Sequence, residues 1–138
     1  MYNPHDNNDF KNTTVMLLGG ISESVNKFVF IAPTRCVITS IKLVSDTSTA
    51  SSAAGSKEYT FQVANLTQTL DLLSATKKTS GTEITGDAAY DLRVNQNLTL
   101  AQDDVLELQI VKTGSPTDLS SAQISVALTY RPSSTYPV

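Results

Sequence analysis

At 138 residues the chain is long enough to bury roughly two-thirds of its unfolded surface, so one domain with a genuine core is the simplest organisation. Ten Lys plus Arg against thirteen Asp plus Glu give a net charge of -3, and the only adjacent basic pair is Lys77-Lys78; this excludes nucleic acid as a main partner, since phosphate binding calls for clustered positive charge. Charged residues make up only 17% of the chain against a typical share of about 25%, so Ser, Thr, Asn and Gln must supply the polar surface, a composition suited to strands and turns.

Residues 1–13, which include Tyr2 and Phe10, are polar and aperiodic and are expected to form a flexible or partner-ordered arm. A basic segment followed by an apolar one is missing there, and no apolar run approaches the roughly 18 residues that span a bilayer. Synthesis in a cytoplasm without a lipid anchor is the expectation. The run Thr14 to Leu18 reads as a short strand stopped by Gly19-Gly20, taken as a turn. Val25 to Ala32 carries apolar groups on both faces towards its end, as a strand does when it is buried on two sides or meets another subunit.

Arg35 to Ser45 is the longest alternating segment and should sit centrally in a sheet, with Val37, Thr39, Ile41 and Leu43 on one face and Cys36, Ile38, Ser40, Lys42 and Val44 on the other. The single cysteine, Cys36, has no partner for an internal disulfide and reads as a small strand side chain. Residues 46–56 are low in complexity and read as a surface loop. Lys57 to Ala64 returns to strand with Tyr59, Phe61 and Val63 inward. Leu66 to Ala75 reads as strand or turn, Thr76 to Tyr90 as a polar connection, and Leu92 to Leu100 as a strand whose alternate residues share one face.

Asp103 to Lys112 has the clearest period-2 pattern, and Ala122 to Arg131 repeats it with Ile124, Val126, Leu128 and Tyr130. With Thr113-Gly-Ser-Pro-Thr-Asp as the link, the two read as a hairpin. The Pro-flanked residues 132–138, which include Tyr136, form a tail. The expected fold is therefore an all-β antiparallel sandwich of seven or eight strands over 14–131, most simply a jelly roll.

Little in the sequence points to catalytic chemistry. His5, the single histidine, lies in the arm, away from the rigid support that nucleophilic catalysis or a zinc site requires. Asp87, Asp91, Asp103, Asp104 and Glu107 offer oxygen ligands of the kind calcium takes, yet their spacing matches no calcium-loop motif, and turn capping accounts for them equally. No cofactor or metal is expected, and the chain is read as non-enzymatic.

Four segments carry a family resemblance: Arg35-Cys-Val-Ile-Thr-Ser-Ile-Lys-Leu, Tyr59-Thr-Phe-Gln-Val, Leu98-Thr-Leu-Ala-Gln-Asp-Asp-Val-Leu-Glu-Leu-Gln-Ile and Ile124-Ser-Val-Ala-Leu-Thr-Tyr. An aliphatic strand, an aromatic strand, an acidic turn feeding Val-Leu-x-Leu and a last strand ending in Tyr resemble the jelly-roll capsid-decoration (cement) proteins of tailed phages. Relatives place a Gly before the acidic residue of that turn, where this chain has Asp103. The resemblance implies a homotrimer on the outer capsid surface of the virion, bound to the major capsid protein. On this reading the arm, with Tyr2 and Phe10, orders on the shell, and Phe28, Phe30 and Tyr136 join subunit contacts, although core packing competes for the two Phe residues. The alternative is a tail or fibre module that binds a receptor or carbohydrate through loops 46–56 and 76–91. Those loops offer a single aromatic, Tyr90, as a sugar platform.

Overall fold

β-Branched and aliphatic residues alternating with small polar ones leave the backbone one economical way to satisfy its donors, the antiparallel ladder. The computed structural model describes residues 11–46, 58–73, 77–78, 86–95, 99–114 and 119–133. Its strands are Asn12–Ile21 (β1), Val25–Ile31 (β2), Cys36–Ser45 (β3), Glu58–Asn65 (β4), Leu70–Asp71 (β5), Lys77–Lys78 (β6), Ala89–Leu92 (β7), Thr99–Leu100 (β8), Val105–Thr113 (β9) and Leu119–Pro132 (β10). The expected seven or eight strands become ten through the two-residue pieces β5, β6 and β8.

The first sheet has the order β1-β10-β3-β7, with β8 also on β3. The second has the order β2-β9-β4-β5, with β6 also on β4. The links β1–β2, β2–β3, β3–β4, β8–β9 and β9–β10 each cross from one sheet to the other, so the chain forms a jelly-roll sandwich. Its core includes Ile41, Leu43, Leu92, Val126 and Leu128 from the first sheet and Tyr59, Phe61, Val63, Leu106, Leu108 and Ile110 from the second. Burial of each large aliphatic side chain contributes on the order of 1.5–3 kcal/mol.

The structure corrects several expectations. The segments containing β9 and β10 do not form a hairpin: β9 pairs with β2 and β4, whereas β10 pairs with β1 and β3. Both strands carry a complete inward apolar face, and two such faces bury each other better across the sandwich than side by side. Gly19-Gly20 does not end the first strand, which continues to Ile21; the ladder shifts register at Gly19, whose φ of 72° suits a bulge where glycine carries no Cβ penalty. β1 also begins at Asn12, so residues 12 and 13 pair with Tyr130 and Thr129.

β3 is central, between β10 and β7, but neither face is as expected. Thr129 pairs with Ser40 and Tyr130 with Ile38, which leaves Thr39 as the extra residue of a bulge. The buried set therefore runs Cys36, Ile38, then Ile41, Leu43 and Ser45. Thr39 donates its hydroxyl to the Thr129 carbonyl at 3.2 Å. The segment Leu92 to Leu100 is not one strand: Leu92 ends β7 on Ile41, Val94 bridges to Leu73, and Leu100 returns to pair with Cys36.

Candidate interaction surface

The acidic turn before β9 is a buried clasp. Asp104, 2% exposed, accepts at Oδ2 from Asn65 Nδ2 at 3.0 Å, from the Ala101 amide at 2.9 Å and from Gln68 Nε2 at 2.5 Å. Asn65 Oδ1 in turn accepts from the Thr67 and Gln68 amides, and Ala32 pairs its backbone with Asp103 and Asp104. Two chain segments thus meet on one carboxylate, and a third joins through the backbone of the same turn. Asp103 takes φ 69°, the conformation a Gly would adopt with least strain, and Asp tolerates it better than most residues. The departure from the Gly of similar turns is thereby accommodated locally.

Close to this clasp, Cys36 is fully buried. Desolvation, followed by the Asp104 charge, pushes its thiol from 9.0 up to about 11. A thiol held neutral in this way is a poor nucleophile and a packing residue. The five acidic residues weighed as calcium ligands are dispersed: Asp104 lies in the clasp, Asp91 pairs with Lys42 on the first sheet, and Glu107 faces outward from the second. Among the described residues no group of three or more His, Cys, Asp or Glu side chains is placed to hold a metal.

Of the aromatic residues expected at contacts, Tyr2, Phe10 and Tyr136 lie outside the described residues, as does most of the loops 46–56 and 76–91. Phe28 and Phe30 point to opposite sides of their sheet. A register shift makes Val29 the extra residue, so Phe28 lies opposite Glu107 on the outer face and Phe30 opposite Leu106 on the inner one. Phe30 packs on Tyr130 with ring centroids 5.0 Å apart, while Phe28 is 62% exposed.

β2 is an edge strand, and so is β1. They begin their respective sheets and are joined by residues 22–24. Val15 at 68% and Leu17 at 66% exposure project from the outer face of the first sheet, while β2 exposes Phe28 at 62% on the outer face of the second and Ile31 at 60% at its end; these are the four most exposed large hydrophobic residues among those described. Sequence reasoning reached Phe28 and missed the other three. Their signal was present in the apolar runs of β1 and β2, which show too little polar alternation for half-buried strands.

The comparisons with known proteins can be set beside this geometry. No protein-family model and no curated protein matches the chain. A chain of the cyanophage Pam1 capsid asymmetric unit aligns over 89% of this chain and 82% of its own, with 15% identity and a TM-score of 0.49. A chain of the Bacillus endospore appendages, which form a family of disulfide-linked pili, aligns over 90% and 88% with 7% identity and a TM-score of 0.37. A chain of infectious bursal disease virus, Gx strain, aligns over 93% of this chain but only 31% of its own, with 15% identity and a TM-score of 0.34.

Proposed function

We propose that this chain is a non-enzymatic structural protein of a phage virion, which sits as a homotrimer on the outer capsid surface and stabilises the shell by binding the major capsid protein. The observation that carries this reading is the set of exposed apolar side chains on the two edge strands, β1 and β2. Edge strands of monomeric proteins are usually blunted by charge or proline, and β1 has neither from Asn12 to Ile21 while exposing Val15 and Leu17. With Phe28 and Ile31 on the other edge strand, these side chains suit burial against a second subunit or the shell. The sequence resemblance to capsid-decoration proteins supplies the phage setting.

The test is size exclusion with light scattering, followed by binding to heads that lack their decoration protein, for the wild type and for Leu17→Lys with Phe28→Lys. The wild type is expected at three times the chain mass and on the heads. The substituted chain, its melting temperature within a few degrees of the wild type, is expected as a monomer with at least tenfold lower occupancy. A wild type that leaves such heads bare would overturn the reading and turn attention to receptor or glycan binding, for which a glycan array is the assay.

A further inference from the structure

Across the outer face of the second sheet the register sets one row of side chains: Phe28 on β2, Glu107 on β9, Ala64 on β4 and Asp71 on β5. Ala64 puts only a methyl group between two carboxylates whose strands straddle β4, about 10 Å apart from the usual interstrand spacing. In the neighbouring row Gln62 and Gln109 are cross-strand partners, and each steadies one acid. Gln109 Nε2 donates to Glu107 Oε1 at 3.0 Å, and Gln62 Nε2 donates to Asp71 Oδ1 at 2.5 Å. Among the described residues the second oxygen of each carboxylate accepts no hydrogen bond and neither acid has an ion-pair partner.

Glu107 is 9% exposed, so a carboxylate with one amide donor is held largely out of water. Such a group costs stability unless a cation reaches it. Asp71 lines a groove of about 440 Å³ together with Ala64, Asn65, Leu66, Leu70 and Gln109 among others; Glu107 does not line it but adjoins two residues that do, Ala64 and Gln109. Leu66 and Leu70 are partly exposed and give it apolar walls. A calcium ion would need six to eight oxygen ligands, more than this pair supplies. A guanidinium or ammonium group on an aliphatic stem matches both features, because its head can sit against carboxylates while its stem lies on leucine.

We infer that this groove receives an arginine or lysine side chain from an apolar, extended segment of the protein partner, with the charged head between Glu107 and Asp71 and the stem along Leu66 and Leu70. The inference rests on the reading that the chain binds another protein, but its test needs no capsid, so the two can fail separately. The full-length, isotope-labelled protein is titrated, with NMR detection, with a capped Leu-Arg-Leu tripeptide and with the same peptide carrying citrulline, which keeps the shape and loses the charge.

Saturable shifts at Ala64, Leu70 and Gln109 are expected with the arginine peptide, with affinity at least tenfold weaker for citrulline and for Glu107→Gln with Asp71→Asn. Equal response to the two peptides, or no response at those residues, would overturn the proposal. Thermal melts of Glu107→Gln provide a second readout. A melting temperature at or above that of the wild type is expected if the carboxylate is kept for a partner, and a clear fall would show that it serves the fold instead.

Discussion

Asp104 does more for the fold than any other polar residue among those described, because its side chain joins the β4–β5 turn to the turn before β9 while its backbone holds the end of β2. Removing it strands a buried donor: Asn65 is fully buried, and its side-chain amide loses its acceptor with no water to turn to. Asp104→Ala is therefore expected to lower unfolding stability by roughly 2–4 kcal/mol in urea titration. A loss below about 1 kcal/mol would mean that water replaces the carboxylate. Cys36 gives a second prediction at this scale. Its thiol is raised to about 11 in the fold against 9.0 outside it, so the folded state holds the proton more tightly. The stability that follows is fully present below pH 9.0 and is lost as pH rises towards 11, by about 2–3 kcal/mol in all. Cys36→Ala, compared with the wild type to subtract tyrosine and lysine titration, should lose this part of the alkaline slope. Parallel stability curves from pH 8 to 11 would contradict it.

At the scale of strands, the sequence shows plainly which segments are extended and which side chains are large enough to fill a core. The aromatic alternation of Tyr59, Phe61 and Val63 and the aliphatic alternation of Leu106, Leu108 and Ile110 are buried as their period requires. Less legible is anything that depends on a single inserted residue. Thr39 in β3, Val29 in β2 and Leu18 before Gly19 in β1 each break the two-residue period, and each changes which residues face the core. Nothing in a β-branched run distinguishes a bulged residue from its neighbours, so strict alternation gives the wrong faces for β3 and puts Phe28 and Phe30 on the same side. Strand pairing was equally hidden. A six-residue link with Gly and Pro suits a hairpin and a sheet-to-sheet crossing alike, and only the need to bury two full apolar faces decides for the crossing. The Glu107, Ala64 and Asp71 row has the same character: each acid is visible in sequence as the single acid of its strand, but the register that sets them either side of an alanine is a property of three strands at once.

For the whole molecule, the alternation of successive strands between sheets ties stability and folding together. β1 closes the first sheet by pairing Val15 with Ala127, and β10, from the end of the chain, lies between β1 and β3 from its first 45 residues, so this sheet is not made from one stretch of sequence. The core belongs jointly to both sheets: Tyr59 of the second donates its hydroxyl to the Ile21 carbonyl of the first, and Phe30 meets Tyr130 across the sandwich. Neither sheet therefore has a closed apolar interior to retain once the other is lost, and a partly unfolded sandwich would expose a complete hydrophobic face. Unfolding is expected as one cooperative transition, with the urea midpoint from far-ultraviolet circular dichroism coinciding with that from the near-ultraviolet tyrosine signal. Because the ladder that completes the first sheet joins residues more than a hundred positions apart, refolding should take milliseconds to seconds, the range of non-local β topologies, rather than microseconds. Stopped-flow refolding measures this directly. Separate midpoints for the two signals would show that one sheet survives without the other and that the shared core is less binding than its packing implies, while microsecond refolding would mean that local turns, not the long-range β1–β10 pairing, limit the rate.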